Sequence, residues 1–387
     1  MSWKEKSKTM LRAEFIQRVL KDEDSFSALC REYGISRPTG YKWLRRYQNE
    51  EGLEDQDKTP FHQPRKTPEQ IEAKILEIRH EHPAMGARKI ARIMENQGQK
   101  GIPSPSTITE ILRRNGEITP EASAAPKAIQ RFAMEHANDM WQTDYKGHFR
   151  LPDGSECHPL NIIDDHSRYC LCSRAMPNET FETFQPVLTD LFQEYGMPRS
   201  FLSDNGNPWG SGMRNGFSRV DVWLMQLGVM PLHGRIHHPQ TQGKCESYNR
   251  SLEKELLHFR TFTDMEDAAA GLEAHRQFYN KERPHHALNL DVPEQHYRKS
   301  ETKYPERIKT WEYPEGYRLI RVGSSGHIRF KGHEYYLGEA LQHEIIGMRE
   351  SYLPGRVTLE YREFRIARIN LEDHTFDFRH AQRKQEA

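Results

Sequence analysis

Nowhere in these 387 residues is there an apolar run long enough to cross a bilayer, which argues against a helical membrane protein. Cysteine is scarce. The five residues Cys30, Cys157, Cys170, Cys172 and Cys245 form no CxxC pair and total an odd number, so a disulfide framework is not expected and a reduced intracellular compartment is. His80 and His82, with His62 nearby in sequence, lack the cysteines that would complete a zinc set and read as surface histidines. Met1 opens a charged stretch rather than a signal peptide. Net charge is also missing: 56 Lys and Arg balance 56 Asp and Glu.

A zero sum would argue against a polyanionic partner, but the charges are unevenly spread. Residues 1–48 hold 11 Lys/Arg against 6 Asp/Glu, and residues 85–116 hold 6 against 2. The remainder must then carry nine excess negative charges. Local basic patches, not the total, set the field that DNA meets.

Both basic regions have helical punctuation. In FSALCREYGISRPTGYKWLRRY (residues 26–47), Phe26, Leu29, Cys30 and Tyr33 recur at helical spacing, and Gly34 supplies a C-terminal cap. Ser36 is placed to cap the next helix, with Pro38 in its first turn. That helix offers Arg37, Thr39, Lys42, Arg45 and Arg46 outward, and an earlier helix near Thr9–Leu20 supplies a third wall. This layout predicts a helix-turn-helix DNA-binding domain over residues 1–49. After a polar linker (50–66), Thr67 is expected to cap a helix running to about His80; GARKIARIMENQG and SPSTITEILRRNG follow as two more. They predict a second, winged-type unit over 67–117, with Arg88, Lys89, Arg92, Arg113 and Arg114 as phosphate contacts. A second linker covers 118–131.

From about residue 132 the period changes from helical to alternating. Three strands, a helix ended by Gly196 and Pro198, then alternating strands and helices predict an α/β layer fold over 132–300. Short alternating strands from 301 to 387 predict a small all-β barrel, with the last eight residues frayed.

Three acids stand out in the α/β region: Asp144 in MWQTDYKG, Asp204 in RSFLSDNG and Glu246 in TQGKCESYN. Asp is disfavoured in mid-strand, yet Asp144 lies there between Trp141 and Tyr145. Asp204 also begins good turn chemistry, and Glu246 also suits a helix N-terminus. Carboxylates brought from separate elements are what hard divalent cations require. A pair of such cations activates an attacking oxygen and stabilises a leaving one in phosphoryl transfer. Lys244, Asn249 and Arg250 are placed to grip phosphates nearby; Asp164 and Asp165 read as hairpin-turn residues, and His237 and His238 as either loop packing or DNA contacts. For Arg283, Pro284 and His285 a structural cap competes with catalysis.

These segments resemble an insertion-sequence transposase of the DDE, retroviral-integrase superfamily. WQTDYKG, SDNG, HPQTQGKCESYNRSLEKELL and YNKERPHHAL stand in the expected order behind the helix-turn-helix GISRPTGYKWLRRY, so the likeness spans nearly the whole chain. It implies an RNase H-like core, two Mg²⁺ or Mn²⁺ ions held by Asp144, Asp204 and Glu246, and double-stranded DNA (transposon ends and target) as partner. It also implies self-association into a dimer or larger assembly on DNA, and a cytoplasmic, nucleoid-associated bacterial location. The chain departs in three ways. The 41 residues between Asp204 and Glu246 exceed the usual spacing, with the surplus assigned to the Asn207–Ser218 loop. Glu253 replaces a basic residue found in some relatives, and the zinc-binding N-terminal domain of retroviral integrases is absent. A DNA-binding regulator derived from a transposase and an RNase H-fold nuclease are the competing functions.

Overall fold

The computed structural model describes residues 7–55, 67–118, 133–210, 216–234, 243–350 and 355–383. The chain divides into two compact units, Met1–Lys66 and Thr67–Ala387.

The first unit holds three helices: α1 (Lys8–Leu20), α2 (Phe26–Glu32) and α3 (Arg37–Gln48). Ser7, Ser25 and Ser36 cap them by accepting backbone N–H groups of the first turn. Gly34 takes φ of +65° beyond α2, the left-handed turn that redirects the chain into α3. Phe15, Ile16, Leu29, Cys30 and Trp43 form the core. Gly40 is where α3 presses against it. A Cβ there would stand 2.9 Å from Cys30 Sγ and 3.0 Å from Phe26, closer than packing allows.

The second unit begins with α4 (Glu69–Glu81), α5 (Ala87–Asn96) and α6 (Pro105–Arg114), packed through Ile71, Ile75, Ile78, Ile90, Met94, Ile108 and Ile111. One expectation needs correction. Pro68, not Thr67, occupies the cap of α4, and no side chain caps it. Among the described residues of 67–118 the elements are helices alone.

The α/β core follows: β1 (Met140–Tyr145), β2 (Phe149–Arg150), β3 (Glu156–Asp164), β4 (Cys170–Met176), α7 (Phe181–Tyr195), β5 (Ser200–Ser203), α8 (Arg219–Gln226), β6 (Met230–His233), α9 (Gly243–Leu252), α10 (Met265–Lys281) and α11 (Pro293–His296). Its sheet runs β2-β3-β1-β5-β6, with β4 beside β3. β3 pairs antiparallel with both β1 and β4, whereas β1-β5 and β5-β6 are parallel. The parallel pairs demand crossovers, which α7 and α8 supply. Apolar side chains of these helices, Phe184, Leu188, Leu191, Phe192, Trp223 and Leu224, pack on one face against Trp141, Leu160, Ile162 and Phe201. On the other, Cys245, Tyr248 and Leu252 of α9 and Leu272 and Tyr279 of α10 pack against Ile163 and Cys170. Four strands thus precede α7 where three were expected.

The C-terminal region contains β7 (Arg318–Arg321), β8 (His327–Phe330), β9 (His333–Tyr336), β10 (Ile345–Glu350), β11 (Arg356–Tyr361), β12 (Phe364–Asn370) and β13 (Phe376–Arg383). The expected barrel is not what forms. The strands make an open antiparallel sheet, β13-β12-β11-β10-β7, and a separate β8-β9 hairpin. Its apolar side is covered instead by neighbours: Phe217, Val222 and Met225 join Ile346, Leu359, Phe364 and Ile366 in one cluster. Nor is the end frayed as far back as expected, since β13 pairs with β12 through Arg383.

Candidate active site

Asp144 is the next-to-last residue of β1, Asp204 follows directly on β5, and Glu246 lies in the first turn of α9. Because β1 and β5 are adjacent and parallel, with Gln142 paired to Leu202, their C-terminal ends project the two aspartates from neighbouring strands. The Asp144 carboxyl is pushed up to about 7, first by burial and then by the charges of Asp204 and Glu246, while Lys146 and a hydrogen bond from Asn249 oppose the shift. The three acids therefore share one field. Asp204 is turned by its own loop: the Gly206 N–H donates to its Oδ1 at 2.9 Å. Asp144 and Glu246 line one cleft with Lys146, Asn249, Arg250 and Glu253.

The chemistry of this set suits a divalent cation: hard oxygen donors carrying mutually repelling negative charge, with one of them forced towards protonation by its burial and by the other two. Among the described residues, no three His, Cys, Asp or Glu side chains are gathered closely enough to hold a single ion.

Several residues read as DNA contacts have other work. Asn249 is buried; its amide donates to Asp144 Oδ2 at 2.7 Å and its carbonyl accepts from Asn161 at 2.7 Å. It holds the acid rather than a phosphate, because its position one turn after Glu246 faces the sheet. Lys244 is drawn into the core by a 2.9 Å ion pair with buried Asp165. Arg46 is buried on the Trp43 face of α3, donating to the carbonyls of Glu51 and Glu54. Lys89 is half-buried, and that burial, followed by the charge of Arg283, lowers its ammonium to about 8. Arg113 and Arg114 are exposed but pair with Glu110 and Glu72. Arg92 bridges Glu95 and Asp291. Arg37, Lys42, Arg45, Arg88 and Arg250 are exposed, and among the described residues none of the five is in an ion pair. Thr39 is half-buried against the Ser36 cap.

Asp164 fulfils its expected turn role, accepting from Ser167, and also accepts the N–H of Asn138. Asp165 lies in the same turn, but its carboxylate is fully buried beneath α9. Arg283 is structural: its guanidinium grips both oxygens of Glu255 and donates to Ser251 Oγ. His285 is buried against the Tyr279 carbonyl. His237 and His238 lie outside the described residues.

Sequence reading missed three features. Lys146, two residues after Asp144, pairs with Glu253 at 3.3 Å in the cleft; its proximity to the acid was the available signal. His233 at the end of β6 bonds Asp221 at 2.9 Å and the Asp204 carbonyl at 3.2 Å. Burial alone would lower its ring, but the Asp221 hydrogen bond and charge raise it. A π-helical turn, Glu253–Leu257, ends the helix carrying Glu246; no residue pattern announces it.

Comparison with known proteins agrees with this arrangement. The integrase core domain family matches residues 134–239 and, in a second form, 227–293. A helix-turn-helix domain matches 11–61 and a homeodomain-like domain 39–112. The chain thus carries integrase core and helix-turn-helix domains and is similar to insertion-sequence transposases. The transposase InsD of insertion element IS2 from Escherichia coli is 24% identical over 242 residues, covering 58% of this chain and 78% of InsD. An uncharacterised 31.7 kDa protein of insertion element IS407 from Burkholderia multivorans is 24% identical over 229 residues, covering 58% of this chain and 79% of that protein. Among solved structures, the simian T-cell lymphotropic virus intasome in complex with a PP2A regulatory subunit aligns over 81% of this chain and 99% of its own, at 12% identity and a TM-score of 0.38. The HTLV-2 integrase catalytic core with magnesium aligns over 42% of this chain and 97% of its own, at 15% identity and 0.31. Both structural likenesses are too loose to bear on function.

Proposed function

We propose that this protein is a DNA transposase that binds the terminal inverted repeats of its element, cleaves the DNA strand there and joins the freed 3′ end to target DNA. The observation that carries this reading is the shared field at Asp144, Asp204 and Glu246 on the ends of β1, β5 and the start of α9. Asp144, Asp204 and Glu246 would hold two Mg²⁺ or Mn²⁺ ions. Such ions supply activation of the attacking oxygen and charge stabilisation of the leaving 3′ oxygen.

The chain's own groups do the rest. Asn249 fixes the Asp144 carboxylate through its Oδ2. Lys146 and the exposed Arg250 line the same cleft, where their charges attract a phosphodiester to an otherwise repelling set of acids. No covalent link between protein and DNA is required, because water and then the 3′-OH serve as nucleophiles. Arg37, Lys42 and Arg45 on α3 present an exposed basic face for phosphate contacts at the element end. Joining two ends in one reaction calls for self-association on DNA. Among the described residues no helix is long and apolar enough to cross a membrane, and a nucleoid-associated site in a bacterial cytoplasm fits the proposed substrate.

Strand transfer with Asp204→Asn tests this. The variant is expected to bind end DNA as wild type does and to lose at least about 1000-fold in Mg²⁺-dependent joining, the scale on which electrostatic stabilisation operates. Joining at the wild-type rate would refute the proposal.

A further inference from the structure

A buried polar cluster connects the strand that carries Asp144 to the helix that carries Glu246. Gln142 lies two residues before Asp144 on β1, hence on the same face of the strand. Its Oε1 accepts the backbone N–H groups of Lys244 (3.2 Å) and Cys245 (3.3 Å) in the first turn of α9. These belong to the N–H groups that a helix start leaves without an intrahelical acceptor. The Gln142 Nε2 donates to Asp165 Oδ1 at 2.6 Å, and the same oxygen takes the 2.9 Å ion pair from Lys244 Nζ. Asp165 Oδ2 accepts the Met134 N–H at 2.7 Å, and its own N–H donates to the Met140 carbonyl at 2.9 Å. Gln142 and Asp165 are both 0% exposed. A carboxylate is seldom buried this fully unless it is paired and hydrogen-bonded, and here both of its oxygens are satisfied by groups converging from β1, the segment before it and α9.

We infer that Gln142, Asp165 and Lys244 form a clamp that sets the position of Glu246 relative to Asp144, which makes Gln142 and Asp165 positioning residues for the reaction proposed above. None of the three touches the cleft that Asp144 and Glu246 line. They act through the backbone: Gln142 ties the turn from which Glu246 projects to the strand from which Asp144 projects, two residues from each acid. Asp165 orients the Gln142 amide, so that its oxygen and not its nitrogen faces α9. Asn249 adds a second tie one turn later, from α9 to Asp144 itself. Glu246 is exposed and makes no hydrogen bond among the described residues, so its location depends on its helix. This inference rests on the DNA-joining reading of the acids.

The test exchanges amide and acid. Gln142→Glu places two carboxylates face to face and is expected to slow single-turnover cleavage of end DNA about 100-fold, the cost of roughly an ångström of misplacement, with affinity for end DNA unchanged within about twofold. Adding Asp165→Asn restores a donor facing an acceptor, at the same net charge as wild type, and is expected to recover at least about tenfold of that loss. Gln142→Met, which keeps the length and loses the acceptor, is expected to speed hydrogen exchange at the Lys244 and Cys245 amides but not within α10. A double variant no faster than Gln142→Glu, or Gln142→Met with the wild-type rate and unchanged exchange, overturns the clamp. If Gln142→Glu does not fold, Gln142→Met alone decides. Failure of the clamp is separable from failure of the proposed function: in the first case Asp204→Asn still abolishes joining, in the second it does not.

Discussion

The two helical units use nearly the same sequence devices and arrive at opposite surfaces. In α1–α3 and α4–α6 alike, a serine caps the last helix, a proline sits in its first turn, and basic residues follow. Yet Arg37, Lys42 and Arg45 on α3 are exposed without acidic partners among the described residues, whereas Lys89, Arg92, Arg113 and Arg114 are mostly spoken for. Arg114 is held by Glu72, Arg113 by Glu110, and Arg92 by Glu95 and Asp291. The second unit also leans on the α/β core. His82 stacks on Phe278 at 4.0 Å, and Lys89 lies within the field of the Glu255–Arg283 pair. Basic composition alone does not make a DNA-binding face; what matters is whether each cation has a carboxylate within reach. The first unit leaves Arg37, Lys42 and Arg45 exposed, and the second pairs most of its cations with carboxylates.

The comparison is broken most severely at the pair beneath Lys89. Glu255 and Arg283 are almost fully buried, at 7% and 10% side-chain exposure. Arg283→Ala would leave Glu255, among the described residues, with His275 alone as ion-pair partner, and a denaturant titration should show a loss of about 3–5 kcal/mol, the cost of orphaning a buried charge. Acidity tests the same pair. Burial would raise the Glu255 carboxyl, but His275 and Arg283 overcome it and bring it from 4.5 down to about 2. With the folded value lowered, its contribution to stability is complete above about pH 4.5 and is lost as pH falls through that value towards 2. Glu255→Gln should therefore flatten the dependence of unfolding free energy on pH between about 5 and 2.

A smaller effect sharpens the contrast between the units. Replacing Arg37, Lys42 and Arg45 together by alanine should weaken binding to element ends by on the order of 100-fold and reduce the slope of log affinity against log salt by about three, one for each phosphate no longer neutralised. The matched triple of Arg92, Arg113 and Arg114 should change that slope by less than about one. Measured by fluorescence anisotropy, equal slopes for the two triples would erase the distinction.

Much of this was legible in the residues. The serine caps, Gly34 and the three acid-bearing segments each announced themselves locally, and order along the chain linked Asp144, Asp204 and Glu246. What was not legible depends on partners far away in sequence. Lys244 looked like a phosphate ligand because nothing near it suggested Asp165, 79 positions earlier. Asn249 reads as a phosphate contact, and only the sheet shows that it holds Asp144. Arg46 is three residues from Trp43, and helical periodicity could have marked it as inward. The barrel expectation failed because alternation identifies strands without saying whether their ends meet; here Phe217, Val222 and Met225 cover what closure would have covered.

Anomalous diffraction from crystals of the protein on element-end DNA, soaked in Mn²⁺, tests the central claim most directly. Our account predicts two manganese positions within about 2.5 Å of carboxylate oxygens of Asp144, Asp204 and Glu246. Manganese bound elsewhere, with no peak beside Asp144 at saturating metal, would contradict it.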